Sequence, residues 1–351
     1  MNKPENVYLS DDSTAVIIID QTLLPGETRL AKLREPEELF EAIKLLRVRG
    51  APAIGIFAAY ALYILARQIG AEHQDAAAFN AKVRNYSDML ASARPTAVNL
   101  AAQLQRMTSL LNRNDGMSIP QMLELMRSEA EEIQREDILM CKAISEHGVS
   151  LIADGAGVMT YCNAGPLATS LYGTALGPIL LANERGMELR AFCCETRPLL
   201  QGARLTAYEL NNAGVDCTLI CDNMASIVMK EGKIDAVFVG CDRLARNGDA
   251  ANKIGTSGAA ILAKHYGIPF YVFCPSSTYD QDCSNGSEIV IEQREPGEIK
   301  ELYFSSPTAP VDVKCYNPSF DVTDNALITA IITEKGIHRA PYIESLEVLR
   351  R

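Results

Sequence analysis

Four stretches in the second half of the chain decide the fold: GVMTYCNAG (157–165), LRAFCCETRPLLQGARL (189–205), CTLICDNMAS (217–226) and DAVFVGCDRLARNGDAANKIGT (235–256). Each contains a short apolar run with the length and composition of a strand buried on both faces. Each run ends in polar and glycine residues from which a helix can start. This repetition predicts a parallel sheet, and such sheets bind ligands beyond the carboxyl ends of their strands. The residues expected at that edge are Cys162, Glu195, Arg197, Asp222 and Asp242.

The composition is that of a globular chain of 351 residues, 48% of them hydrophobic. Its 33 basic and 44 acidic side chains give a net charge of -11, which repels nucleic acid and anionic membrane surfaces. We therefore predict neither as a partner.

The sequence also bears on localisation. The N-terminus lacks the pattern of a signal peptide, and we expect no later apolar run to approach the roughly 18 residues of a membrane helix. These two observations predict a cytoplasmic protein. Ten cysteines without a CxxC pair and four dispersed histidines give no metal-ligand spacing.

The first half of the chain is predicted to be mainly helical. A strand is predicted over Ala15–Asp20, and helices over Glu37–Arg47, from Pro52 onward, over 98–113 and over Ile119–His147. The last of these is acidic and amphipathic, as expected of a helix that connects two halves. We place the domain boundary near Gly148, with a mainly helical domain and a short β segment over 1–148 and a Rossmann-like domain over 149–351.

Two arginines precede helix starts in the first half. Arg49 and Gly50 lead into the helix that Ala51 and Pro52 open, where free backbone N–H groups could face an anion. The same stretch can be read as a plain turn between helices. Arg94 precedes Pro95 in the same way, either as a phosphate clamp or as an ordinary surface arginine.

Two side chains with acid–base chemistry end predicted strands in the second half. Cys162 ends one strand, and Gly165 and Pro166 let the chain turn into a helix, whose N-terminal N–H groups would favour the thiolate. Most cysteines in apolar strands, however, are simply buried. Asp242 ends another strand, and a carboxyl walled by apolar residues can stay protonated and donate near neutral pH. An isolated aspartate more commonly caps a loop or, here, pairs with Arg243. Asn252 and Lys253 would supply donors for a hydroxyl or a phosphate.

Eight motifs are spread along nearly the whole chain. The motifs are DQTLLPGE (20–27), RGAPAIG (49–55), ARPTAVNL (93–100), CNAGPLAT (162–169), CETRPLLQGARLTAYEL (194–210), DNMA (222–225), DRLARNGDAANKIGT (242–256) and NPSFDVT (317–323). Together they resemble those of the S-methyl-5-thioribose-1-phosphate isomerase family, and the resemblance extends from about Asp20 to Gly336. The wider family includes ribose-1,5-bisphosphate isomerases and regulatory subunits of an initiation-factor nucleotide exchanger.

The resemblance implies an α/β fold with a small, mainly helical N-terminal domain on a Rossmann-like parallel-sheet domain, in a homodimer. It implies that Cys162 and Asp242 are catalytic and that no metal or organic cofactor is needed. The substrate contacts that it implies are Arg49, Gly50, Ala51, Arg94, Gln201, Asn252 and Lys253.

The reaction that the resemblance implies turns an aldose 1-phosphate into a ketose 1-phosphate. Since the anomeric oxygen carries the phosphate, the ring cannot open by losing a proton there, and an acid must protonate the ring oxygen, a role for Asp242. Hydrogen then moves from C2 to C1, either as a proton carried by Cys162 or as a hydride. The implied substrate is S-methyl-5-thioribose 1-phosphate, with 5-deoxyribose 1-phosphate as an alternative.

The chain departs from the family pattern in a few places. Cys241 stands where the family usually has alanine, which adds an oxidisable thiol beside Asp242. The rival interpretation is a non-catalytic regulatory subunit that senses a sugar phosphate, although retention of Cys162 and Asp242 favours an enzyme. A dehydrogenase is disfavoured because no G-x-G-x-x-G follows a strand.

Overall fold

The computed structural model describes residues 5–70, 75–95, 97–113 and 116–350. The chain folds into two compact units, one of Met1–Leu139 with Pro166–Leu171 and the other of Met140–Gly165 with Tyr172–Arg351. The chain passes from the first unit to the second within one long helix, Ile119–Val149. A division into two domains at Gly148 stays a prediction.

The first unit combines a small antiparallel sheet with helices, as the sequence predicts. The strands run in the order β1, β2, β3, and β2 lies where the sequence predicts a strand. The strands are β1 (Val7–Leu9), β2 (Val16–Ile19) and β3 (Leu30–Leu33), and the helices are α1 (Pro36–Lys44), α2 (Ala51–Gly70), α3 (Ala76–Ser92), α4 (Val98–Arg113) and α5 (Ile119–Val149) up to Leu139.

Helix α2 is the core of the first unit. All side chains from Ala53 to Ala66 are buried. Its 20 residues are also long and apolar enough to cross a membrane, the one such helix among the residues described. The expectation that no apolar run approaches that length was therefore wrong, because no charged residue interrupts the helix before Arg67. Its burial within the protein is that of a core helix.

The second unit contains a seven-stranded sheet in the order β14-β13-β10-β7-β4-β5-β6. All pairs are parallel except β13 with β14. The strands are β4 (Ala156–Tyr161), β5 (Leu189–Cys194), β6 (Asp216–Ile220), β7 (Ala236–Val239), β10 (Phe270–Phe273), β13 (Ala330–Thr333) and β14 (Gly336–His338). The helices are α6 (Leu176–Glu184), α7 (Ala207–Asn212), α8 (Ala225–Lys230), α9 (Thr256–Tyr266), α10 (Gly297–Lys300) and α11 (Tyr342–Ser345).

The strand order reverses between β4 and β7. From β4 the chain adds β5 and then β6 on one side, whereas β7 begins the other side of β4. Side chains alternate between two apolar clusters, with Val237 and Val239 in one and Ala236 and Phe238 in the other, so the sheet is covered on both faces. This confirms the predicted α/β class with a Rossmann-like parallel sheet. Ligands of such sheets bind beyond the carboxyl ends of the strands that flank the reversal.

After β7 the chain forms a hairpin before it enters α9. The turn 247–249 joins the two strands of the hairpin, which belong to a second sheet in the order β11-β8-β9-β12. These strands are β8 (Arg243–Ala245), β9 (Ala250–Lys253), β11 (Tyr279–Asp280) and β12 (Phe320–Thr323).

Candidate active site

Cys162 is the first residue after β4, and its backbone is left-handed, with φ +64°. The predicted helix start beside its thiol was wrong. Only a three-residue 3-10 turn, Pro166–Ala168, lies close behind it, and α6 begins at Leu176. The intervening residues are rich in Thr, Ser and Gly, which favour turns over a helix. A left-handed residue with a side chain costs about 1–2 kcal/mol, so the surrounding structure must enforce it.

Two threonine hydroxyls bond to the backbone of Cys162. Its N–H donates to Thr196 Oγ1 at 2.9 Å, and its carbonyl oxygen accepts from Thr206 Oγ1 at 2.6 Å. Both threonines are fully buried, and Cys162 is 8% exposed. Neither threonine was predicted from the sequence as a site residue, although both stand in the motif 194–210 and so carried a signal.

Asp242 lies on the short segment between β7 and the β8–β9 hairpin. Its N–H donates to the carbonyl of Ala251 at 2.9 Å. The residue is exposed, so the predicted apolar wall around its carboxyl was wrong: the side chain stands beyond the strand end, on the start of the hairpin. Arg243, the partner considered for it, forms an ion pair with Asp280 at 2.8 Å.

The segments after β4 and β7 approach β9 at Gly240. A Cβ added to Gly240 would lie 2.9 Å from Ala164 Cβ and 3.9 Å from Asn252 Oδ1. Glycine thus lets the two strand ends and β9 come together. Asn252 is buried, and its Nδ2 donates to Thr256 Oγ1 at 3.0 Å. Lys253 Nζ lies 4.3 Å from the centre of the Phe320 ring.

The first backbone N–H groups of α9 donate to an acidic side chain that was not predicted from the sequence. Asp321, on β12, accepts from the N–H of Gly255 at 2.7 Å and of Ser257 at 3.0 Å. Burial raises the pKa of Asp321, while these two bonds and the charge of Lys253 oppose the shift. Because the first N–H groups of α9 already face a carboxylate, Lys253 is the better anchor for an anionic ligand here.

Gln201 offers a buried acceptor near the end of β5. It is 5% exposed and precedes the π-helical turn Gly202–Thr206. Its Oε1 accepts no hydrogen bond in the part of the chain that the structure describes. A buried acceptor without a hydrogen bond destabilises the folded protein by about 1–3 kcal/mol. This points to a ligand that donates to Gln201 Oε1. A side chain in place of Gly202 would collide with the Cys194 carbonyl, which explains why glycine follows Gln201.

The first unit contains the other four predicted substrate contacts. Gly50 has φ +97°, and a Cβ there would lie 2.5 Å from the backbone of Ala168, so only glycine fits. Arg49 Nε donates to Gln21 Oε1 at 3.2 Å, and α2 begins at Ala51. Arg94 is partly buried and lies just beyond α3. The remaining five predicted site residues belong to the second unit.

No group of three or more His, Cys, Asp or Glu side chains could hold a metal ion within residues 5–70, 75–95, 97–113 and 116–350. That the activity needs neither metal nor organic cofactor stays a prediction.

Comparison with known proteins matches residues 47–340, most of the chain, to the initiation factor 2 subunit family. The chain belongs to this family. Among its relatives, a methylthioribose-1-phosphate isomerase of Symbiobacterium thermophilum is 59% identical over 347 residues, 99% of this chain and 96% of that protein. The resemblance drawn from the motifs is thereby confirmed.

Two further relatives also carry the names of sugar 1-phosphate isomerases. A 5-deoxyribose 1-phosphate isomerase of Petrotoga mobilis is 54% identical over 98% of both chains. The crystal structure of 5-methylthioribose 1-phosphate isomerase from Pyrococcus horikoshii superposes with a TM-score of 0.93 at 37% identity, covering 99% of this chain and 96% of that one.

Proposed function

We propose that this protein is an aldose–ketose isomerase that converts S-methyl-5-thioribose 1-phosphate to S-methyl-5-thioribulose 1-phosphate in methionine salvage. The observation that carries the proposal is the placement of Cys162 and Asp242 after β4 and β7, the two strands that flank the reversal of strand order. One relative named as a methylthioribose-1-phosphate isomerase is 59% identical, and the structure of another superposes with a TM-score of 0.93.

In the proposed mechanism, Asp242 is the acid that opens the sugar ring. The phosphate on the anomeric oxygen blocks the usual opening, so Asp242 protonates the ring oxygen and leaves an open-chain aldehyde equivalent. Hydrogen then moves from C2 to C1 on the side that Cys162 presents, and the C2 hydroxyl gives its proton back to the Asp242 carboxylate as it becomes the ketone. Transfer through the thiol exchanges the C2 hydrogen with deuterated solvent, and a direct hydride shift does not, so labelling tells the two routes apart.

We propose the substrate contacts that the resemblance implies and assign their roles from their charges and donors. In the second unit, Lys253 would hold phosphate oxygens, Asn252 would bond a sugar hydroxyl, and Gln201 Oε1 would accept from another. In the first unit, the proposed contacts are Arg94 and the N-terminus of α2 with Arg49, Gly50 and Ala51, whose positive charge and free N–H groups suit an anion. The exposed carboxyl of Asp242 could reach a substrate without prior rearrangement.

A second substrate is favoured by the Petrotoga mobilis relative, which is named for 5-deoxyribose 1-phosphate and is 54% identical. We propose that one enzyme serves both sugars. The rival function, a non-catalytic regulatory subunit, is consistent with the family name. The strained backbone of Cys162 speaks against it, because such strain clusters at sites of chemistry. We also propose a cytoplasmic homodimer with domains at 1–148 and 149–351.

The test is to incubate the purified full chain with S-methyl-5-thioribose 1-phosphate and follow the ketose product by phosphorus NMR. Conversion is expected without any added cofactor and after dialysis against a chelator. Saturable binding without conversion would favour the regulatory function, and activity that returned only with added metal would refute the metal-free mechanism.

A further inference from the structure

We propose that Thr196 is a positioning residue for Cys162, holding its backbone in the left-handed conformation that sets the direction of its thiol. The proposal rests on the proposed function, because the orientation of Cys162 affects turnover only if that thiol takes part in the reaction. Thr206 and Asp222 complete the arrangement. None of the three carries the chemistry itself.

The hydroxyl of Thr196 is oriented by its own bond. Thr196 Oγ1 donates to the Cys194 carbonyl at 3.1 Å and accepts from the N–H of Cys162 at 2.9 Å. A threonine hydroxyl has one hydrogen, and the Cys194 carbonyl takes it, so a lone pair must face Cys162. The bond to Cys162 therefore has a fixed direction.

Asp222 in turn fixes the backbone of Thr196. Thr196 is itself left-handed, with φ +66°. Its N–H donates to Asp222 Oδ1, and the next N–H, of Arg197, donates to Oδ2, both at 2.7 Å. Charge-assisted bonds of this length are among the strongest available to a backbone N–H. Because Asp222 follows β6, the ends of β4, β5 and β6 are tied together through Thr196.

The carbonyl side of Cys162 is held by a second set of buried groups. Thr206 Oγ1 donates to that carbonyl and accepts from Asn163 Nδ2 at 3.2 Å. The same Nδ2 donates to Glu209 Oε2 at 2.5 Å. Both backbone polar groups of Cys162 thus bond to threonine hydroxyls instead of to a following helix. Relaxation of Cys162 to an ordinary φ would break both bonds at buried positions.

The test compares two substitutions at one position. Thr196→Val keeps the branched shape and removes the hydroxyl, and we expect kcat to fall about 10- to 100-fold, as for a reacting group displaced by about 1 Å. KM should change less than about twofold, because Thr196 makes none of the proposed contacts that bind the substrate equally in the ground and transition states. Thr196→Ser restores the hydroxyl and should recover most of kcat. Thr333→Val, which removes another buried, bonded hydroxyl at the end of β13, is the control and should keep full kcat.

A double substitution separates positioning from a merely structural role. If Thr196 acts through the thiol, adding Thr196→Val to Cys162→Ala should lower kcat no further. A further fall in that background, or a Thr196→Val enzyme with full kcat, would overturn the inference. Cys162→Ala with normal turnover would instead refute the proposed function. If thermal melting shows that Thr196→Val fails to fold, Thr206→Val makes the same prediction from the carbonyl side, with Thr206→Ser as its rescue.

Discussion

Tyr161 on β4 and Val239 on β7 are partners in the parallel register, so Cys162 and Gly240 are the first residues beyond two adjacent strand ends. Asp242 comes two residues later, on the way into the hairpin. The two side chains assigned to catalysis therefore leave the sheet from neighbouring strands at the reversal of strand order. Cys162 and Asp242 come to this edge because the topology makes β4 and β7 neighbours, and neither strand alone determines it.

Cys162→Ser and Asp242→Asn should each lower turnover about 10²- to 10⁴-fold, the usual contribution of a general acid or base. Both changes keep size and polarity, so the fold and the affinity for the substrate should persist. The checks are steady-state kinetics, with calorimetric titration of the inactive variants. Near-normal turnover in either variant would remove that residue from the mechanism.

Lys253→Ala should raise KM with kcat nearly unchanged, because a cation that holds the phosphate acts equally in the ground and transition states. Arg94→Ala should behave alike. The matched control is Lys264→Ala, which removes an exposed lysine from α9 and should leave both constants unaltered. A loss confined to kcat would mean that the phosphate lies elsewhere.

Cys217 should react with iodoacetamide at neutral pH faster than Cys241. Its sulfur lies 3.0 Å from that of the buried Cys193, and a hydrogen bond from Cys193 lowers the pKa of the half-buried Cys217. Burial raises the pKa of Cys241, and a hydrogen bond with Cys274 raises it further. The oxidisable thiol predicted beside Asp242 is therefore kept protonated.

Peptide mass spectrometry should find Cys217 modified faster than Cys241, since a lower pKa leaves a larger fraction of the thiol as the reactive thiolate. Cys193→Ala should slow the labelling of Cys217, and Cys193→Ser, which keeps a donor, should slow it less. Preferential labelling of Cys241 would contradict the assignment.

The sequence predicts the sheet well because its strands are uninterrupted apolar runs between turn residues, as in β4 and β7. It does not predict the conformation of the residues after Cys162, because proline and glycine at 165–166 can precede a helix or a turn equally well. The exposure of Asp242 depends on a hairpin that pairs β8 with β9, and the bonds of Thr196 join three strand ends. The hairpin pairing and the bonds of Thr196 join residues that are distant in the sequence, so a local sequence pattern cannot predict them.

His338 should make folding stability depend on pH. Its Nδ1 donates to the Ser345 carbonyl, and its Nε2 accepts from Thr333 Oγ1, both at 2.9 Å. Burial lowers the pKa of His338 in the folded protein. The unfolded chain therefore binds the proton first, and stability falls as pH drops below about 6.5 toward the lowered folded value.

Urea unfolding at a series of pH values between about 5 and 7 measures this loss. His338→Gln should flatten the dependence, at the expense of some stability at neutral pH. His265→Gln, a change at an exposed position on α9, is the control and should leave the slope intact. An unchanged slope in His338→Gln would contradict the assignment.

The most direct test of the central claim is kcat/KM for S-methyl-5-thioribose 1-phosphate, 5-deoxyribose 1-phosphate and ribose 1-phosphate, measured in parallel. In an apolar pocket the methylthio group should stabilise the transition state by about 1–3 kcal/mol. This corresponds to a kcat/KM roughly 10- to 200-fold above that of the deoxy sugar. The hydroxyl of ribose 1-phosphate would lose its water partners there, so that sugar should be poorest. The predicted result is this order, with the deoxy sugar within about 200-fold of the first. Preference for ribose 1-phosphate would contradict the claim.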